Sequence, residues 1–126
     1  MISHTDYLQK LIQCAEQIIV TYAEDCRTSS YEEGIELLMK VFLKVKNSGR
    51  KVFFIGNGGS AAIAIHMTAD YMKNGGMKTY SLYDSSVMTC MGNDYGYEEV
   101  FSRQLNAYMD ESDLLLIATS KSLSSI

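Results

Sequence analysis

The chain has 126 residues, 47% of them hydrophobic and 21% charged, with 11 basic and 15 acidic side chains. That length suits one domain with a real core, and the apolar share excludes a disordered chain. A formal net charge of −4 argues against a nucleic-acid surface, yet leaves small anionic ligands open, because backbone amides hold anions whatever the net charge.

Cys14, Cys26 and Cys90 are widely spaced and form no CxxC pair. A disulfide framework or a four-cysteine zinc site is therefore not expected, and a reducing cytoplasm is. No run approaches the roughly 18 apolar residues of a membrane span. The opening MISHTDYLQK lacks the apolar block of a signal peptide. The composition thus predicts a soluble, cytoplasmic domain with no membrane or nucleic-acid partner.

In chain order, Leu8, Leu11, Ile12, Ala15, Ile18, Ile19 and Tyr22 follow the three-four spacing of one helix face. A second helix is predicted from Ser30, where Ser30 and Glu33 make a capping-box pattern. Its apolar side carries Ile35, Leu38, Met39 and Phe42, and Gly49 is placed to end it. Residues 51–55 (KVFFI) form a continuous apolar run, as a buried parallel strand requires. Gly56, Asn57, Gly58 and Gly59 stop that strand, and Ser60 opens a helix through Lys73. A strand is expected over 79–83, then a short helix capped by Asp84 and Ser85 and ending near Gly92. Residues 97–109 read as helix, with Val100, Phe101, Leu105 and Tyr108 inward, and 114–118 (LLLIA) as a third buried strand.

Strands alternating with helices imply parallel crossovers and a doubly wound sheet, in which ligands sit beyond the carboxyl ends of the strands. The polar loops at 56–60 and 119–124 both leave strands at that end. The third strand is apolar on both faces, and an uncovered apolar edge invites association; either a partner covers it or the natural protein continues past Ile126.

The loop at 56–60 exposes consecutive amides at a helix start, and glycine allows the positive φ and close approach of an anion nest. Phosphate is the obvious guest, with Ser60 adding a hydroxyl. The bland alternative is a tight turn with a serine cap and no ligand. Gly56, Gly58 and Ala61 also satisfy GxGxxA, with Asp84 after the next strand as a ribose-binding acid, although its 28-residue separation from Gly56 exceeds the usual spacing of about 20. His66 and Asp70 lie at i and i+4 on one helix face, in line with Ala62 and the loop. Such a pair can share a divalent metal or act as acid and base; it can also be a paired surface histidine. Asn93 and Asp94, in the turn before the fifth helix, could hydrogen-bond sugar hydroxyls or serve only that turn.

Taken together, FIGNGGSAAIAIHMTADY, MGNDYGYEEVFSRQL and DLLLIATS resemble, in that order, the sugar isomerase (SIS) domain of phosphoheptose isomerases, which interconvert sedoheptulose 7-phosphate and D-glycero-D-manno-heptose 7-phosphate. The resemblance implies a three-layer α/β fold with a doubly wound parallel sheet, truncated after the third strand and preceded by two amphipathic helices. It implies one domain over 1–126, with a helical hairpin at 1–49 and the first part of the core at 50–126. Asn57, Gly58 and Gly59 would contact the substrate and Ser60 its phosphate, while Asn93 and Asp94 would line the sugar site. His66 matches a zinc-binding position, and Asp70 falls where the family has a glutamate that binds metal and transfers protons. Thr119, Ser120 and Ser124 keep hydroxyls of the family's phosphate loop, whereas Lys121 and Ser122 depart from it. A glutamine and a histidine that the family supplies from a later helix fall beyond this chain. Metal-dependent relatives hold one zinc per subunit, need no organic cofactor and form homotetramers. Two further readings stand beside this one: a non-catalytic SIS module that binds a sugar phosphate or a protein partner, and an NAD-binding oxidoreductase.

Overall fold

A computed structural model of the protein describes residues 3–22, 26–27 and 30–119. The chain divides into two compact units, Met1–Phe42 and Leu43–Ile126.

The first unit opens with helix α1 (His4–Glu16), whose N-cap Ser3 accepts a bond from the Asp6 amide at 3.1 Å. The helix was expected to reach Tyr22 and stops at Glu16 instead. Ile18, Ile19, Val20 and Thr21 are all β-branched, a run that disfavours helix and favours extended chain. There the backbone forms a short antiparallel pair, β1 (Thr21–Tyr22) with β2 (Cys26–Arg27). Val20 lies where a Cβ on Gly34 would fall, so glycine is required for that close approach. The predicted apolar stripe of α1 is real but uncovered: Leu8, Leu11, Ile12, Ile18 and Ile19 are all exposed.

Helix α2 (Tyr31–Asn47) starts as the sequence predicts, with Ser30 Oγ accepting from the Glu33 amide at 3.1 Å. It ends ahead of Gly49, whose φ of +65° only glycine adopts without strain. Lys44 and Lys46 occupy its last turn, where the helix dipole favours cations.

The second unit is built on a three-stranded parallel sheet in the order β4-β3-β5. β3 (Lys51–Gly56) is central, with β4 (Lys78–Ser81) on one side and β5 (Leu114–Ala118) on the other. Alternation along β3 sends Phe54 to one face, where its ring meets Tyr71 of helix α3 (Gly59–Lys73) at 5.3 Å. On the same face Thr79 Oγ1 donates to the Thr68 carbonyl at 2.7 Å. Phe53 and Ile55 point the other way, into a core with Leu82, Phe101, Leu105, Met109 and Leu115. Helix α5 (Val100–Tyr108) supplies Phe101 and Leu105, so the layers run α3, sheet, α5. Gln104 is buried yet satisfied, donating to the Leu82 and Val100 carbonyls.

Three boundaries differ from expectation. β4 ends at Ser81 and not at Tyr83. Helix α4 (Ser85–Tyr95) runs past Gly92, so Asn93 and Asp94 lie in its last turn and not in a loop. Gly96, with φ +93°, ends it, and one 3₁₀ turn (Tyr97–Glu99) leads into α5. Tyr108 is exposed, because α5 stops there and its inward line closes on Met109. Asp84 does cap α4, accepting from the Ser86 and Val87 amides at 3.0 Å each.

Candidate active site

In a parallel sheet, backbone dipoles and free loop amides converge where consecutive connections leave in opposite directions. β3 leads through α3 to β4 on one side, and the later connection returns to β5 on the other. The switch point therefore lies between β3 and β5, at Gly56 and Ala118, which pair in register. The two polar loops singled out in the sequence leave from these two residues.

Two glycines of the first loop are needed for different reasons. Gly56 is needed for space: a Cβ there would lie 2.8 Å from the Ala118 carbonyl oxygen and 2.9 Å from the Ser60 carbonyl carbon. Gly58 is needed for conformation, with φ +58° at the N-cap of α3 and no atom within 4 Å of a would-be Cβ. The resulting turn returns the Ser60 amide to the Asn57 carbonyl and the Ala61 amide to the Gly58 carbonyl, both at 3.1 Å. The Asn57 amide lies on the ladder side that pairs Gly56 with Ala118, whereas the amides of Gly58 and Gly59 have no acceptor among the described residues. They sit at the amino end of a 15-residue helix, where the partial positive charge favours an anion.

Tyrosine hydroxyls hold this loop from the other side, which the sequence reading missed. Tyr83 Oη accepts from the Gly56 amide at 2.5 Å and donates to the Gly56 carbonyl at 2.6 Å. Its ring meets Phe101 edge-on at 5.5 Å. Burial pushes the Tyr83 phenol above its ordinary 10.0, offset in part by the Gly56 bond. Tyr97 Oη donates to Asn57 Oδ1 at 2.8 Å. The β3–β4 register pairs Phe54 with Ser81, which carries position 83 opposite Gly56, a placement that spacing along the chain does not give. Beside the loop, Ile55, Asn57, Tyr97, Phe101, Leu115 and Ile117 line a cavity of about 420 Å³.

The remaining predicted residues are distributed unevenly. His66 and Asp70 do pair, with Nε2 to Oδ2 at 3.3 Å, but their side chains are 72% and 43% exposed. The buried side of α3 carries Ala64 and Thr68, so the His66–Asp70 ridge lies on the solvent side of the helix, as Ala62 does. Two donors fall short of the three that a catalytic zinc takes from its protein. Among the described residues no third histidine, cysteine, aspartate or glutamate joins them, so these residues alone do not fit the ion. Asn93 Nδ2 donates to Asp94 Oδ1 at 2.9 Å, and Cys90 Sγ lies 3.6 Å from Asp94 Oδ2. These two side chains therefore bond within α4, and it is Tyr97 that ties their segment to the loop. Thr119 is exposed just past β5, while Ser120, Lys121, Ser122 and Ser124 lie outside the described residues. The Asp84 oxygen that a ribose would need caps α4, which weakens the dinucleotide reading.

Comparisons with known proteins agree with this geometry. The SIS domain family matches residues 7–124. The chain is 34% identical to a phosphoheptose isomerase of Nitratidesulfovibrio vulgaris, covering 84% of this chain and 57% of that protein. It is 37% identical to a phosphoheptose isomerase of Aneurinibacillus thermoaerophilus, covering 96% and 63%. Among solved structures, a phosphoheptose isomerase from Francisella tularensis superposes with a TM-score of 0.69 at 26% identity, over 89% of this chain and 55% of that one. Another from Neisseria gonorrhoeae gives 0.56 at 31%, over 75% and 55%. The chain thus spans a little over half the length of these relatives. No helix among the described residues is long and apolar enough to cross a membrane. A glycine nest at the switch point of a three-layer parallel sheet, matched along nearly its whole length, places this chain in the SIS domain family.

Proposed function

We propose that this chain carries out, or supplies a large part of, the interconversion of sedoheptulose 7-phosphate and D-glycero-D-manno-heptose 7-phosphate. The observation that supports this most is the pair of amide donors at Gly58 and Gly59, open at the start of α3 beside the β3–β5 switch point. They suit the phosphate, with Ser60 and Thr119 as hydroxyl partners and Asn57 facing the sugar chain. Asn93 and Asp94 belong to the same reading as sugar contacts.

The chemistry is a proton shift between adjacent carbons. A carboxylate removes the proton from C1 of the ketose, the electron pair moves to the C2 oxygen as an enediolate, and C2 is then protonated while the C1 hydroxyl becomes the carbonyl. Asp70 is the candidate base, with His66 at 3.3 Å able to hold its orientation. Because the pair is exposed, its water must be displaced by substrate or by a second subunit before proton transfer is efficient. Zinc at His66 and Asp70 requires at least one further donor, and zinc titration with a loss of binding in His66→Ala tests for it. The decisive assay follows heptose 7-phosphate formation with and without zinc. Asp70→Ala is expected to lower turnover by at least about a hundredfold; activity at the wild-type level would overturn Asp70 as the base.

One observation favours a second reading, a sugar-phosphate-binding module without turnover: the acid–base ridge is open to solvent on the exposed side of α3. Binding of sedoheptulose 7-phosphate with no conversion by the natural full-length protein would select it. The exposed stripes of α1 and α2, with Ile12 59% and Met39 56% accessible, support assembly as a homotetramer, and sedimentation as a monomer would refute it. The exposed free thiols of Cys14 and Cys90 suit a reducing compartment such as the cytoplasm.

A further inference from the structure

We propose that Tyr83 and Tyr97 are positioning residues: two phenols that brace the glycine loop and fix the Asn57 carboxamide as a donor toward the sugar. The inference rests on reading the loop as a phosphosugar site.

Tyr83 does the work of a missing sheet rung. β4 stops pairing at Ser81, opposite Phe54, so the β4-facing N–H and C=O of Gly56 lose their strand partner two residues further on. An unpaired, half-buried peptide unit is costly. The Tyr83 hydroxyl fills both vacancies, because one O–H offers one proton and an acceptor lone pair. The 2.5 and 2.6 Å bonds thereby hold the residue from which the nest turns.

Tyr97 settles a different question, the direction of an amide. A carboxamide presents an acceptor on one side and two donors on the other. With Tyr97 Oη donating to Asn57 Oδ1 at 2.8 Å, Nδ2 is the group left for a ligand, and no described residue accepts from it. Asn57 also lines the cavity of about 420 Å³. An amide donor recognises an oxygen that carries or gains negative charge. In a phosphosugar that is the carbonyl oxygen on its way to an enediolate, whereas a ring hydroxyl hydrogen would be met poorly. The brace thus links strand register to the choice between acceptor and donor ligands.

The experiment uses the full chain with inorganic phosphate and sedoheptulose 7-phosphate as separate probes. Tyr97→Phe keeps the ring of a residue 61% exposed, so the fold is retained. It is expected to weaken sugar-phosphate binding about tenfold, the loss of one hydrogen bond, while inorganic phosphate binding stays within about twofold. Tyr83→Phe keeps the edge-on contact with Phe101 and is expected to weaken both ligands. A brace that is only structural would move both ligands equally in both variants. Amide exchange without ligand supplies the independent readout: Gly56 exchange should accelerate at least tenfold in Tyr83→Phe, and the Asn57 side-chain amide should become mobile in Tyr97→Phe. Unchanged exchange and mobility overturn the brace whether or not ligand binds. If the wild type binds neither probe while both variants loosen as expected, the brace stands and the phosphosugar reading falls.

Discussion

At its amino end β3 is held by charge. Lys51 Nζ reaches Asp110 at 2.7 Å and Asp113 at 3.3 Å, and the Lys51 amide donates to Asp113 Oδ1 at 2.8 Å. Asp113, with a side chain only 1% exposed, also accepts from the Asp110 amide. At its carboxyl end β3 is held by neutral groups, the Tyr83 phenol and the bare backbone of Gly56 against Ala118. At the first end each carboxylate oxygen of Asp113 has its donor; at the second, the consecutive amides of Gly58 and Gly59 remain open. Closure by charge makes a structural clasp, and closure by neutral dipoles makes a receptor, because only the second leaves the field of the helix end uncancelled for an incoming anion.

That contrast can be broken at several points. The largest effect is expected from Gly56→Ala. The new methyl meets backbone that cannot move cheaply, so overpacking should cost about 1–3 kcal/mol and phosphate binding should fall below detection, read by thermal denaturation and titration. Asp113→Ala strikes the other end: it leaves the Lys51 and Asp110 amides without their acceptor and should cost about 1–3 kcal/mol. Phosphate affinity should not change in that variant, and an equal loss of binding would show that the two ends of β3 are not independent.

Titration sharpens the same comparison. Burial works to raise the Asp113 carboxyl, but the Asp110 and Lys51 amides and the Lys51 ammonium outweigh it, so it sits below its ordinary 3.8. The Asp110 hydrogen bond leads in holding Lys51 above 10.5, against its partial desolvation. A lowered carboxyl stabilises the fold above 3.8, and that contribution fades as pH falls further. A raised ammonium stabilises it below 10.5 and fades as pH climbs past that value. The clasp is therefore complete between those limits, and urea unfolding of the wild type should show an acid-side fall that Asp113→Asn lacks. The smallest effect is expected from Asp84→Ala, which removes the α4 cap at about 1 kcal/mol and leaves sugar-phosphate binding intact. Loss of NAD binding in that variant would restore the dinucleotide reading.

Much of the architecture was legible because single residues announce it. KVFFI reads as a strand buried on both faces, Ser30 with Glu33 marks a helix start, and the glycines at 56 and 58 mark a turn that needs a bare Cα at the first and a positive φ at the second. The apolar spacing of α1 continues through Ile18, Ile19 and Tyr22, which suggests a longer helix, while the local β-branched preference that ends it is a weaker pattern. Gly92 looks like a stop and so points to a turn at Asn93 and Asp94, but a glycine with ordinary helical backbone does not end a helix, and Gly96 does so through its positive φ. Within the site, spacing alone found the nest and the His66–Asp70 pair. It could not show that this pair faces outward, since that depends on which side of α3 meets the sheet. Tyr83 and Tyr97 were invisible for a related reason: their partners lie 27 and 40 residues away in sequence, joined only by the parallel register.

The closeness of Ala118 to Gly56 carries one last consequence. With no side chain between them, the spacing of the two strand-end loops is set by the thickness of the main chain itself, a dimension that point substitutions cannot enlarge without prising the strands apart. Adapting this cleft to a bulkier or slimmer guest would therefore demand insertions or deletions in the loops. Diversification of such a cleft should proceed by changes in loop length, while the residue at its base stays fixed.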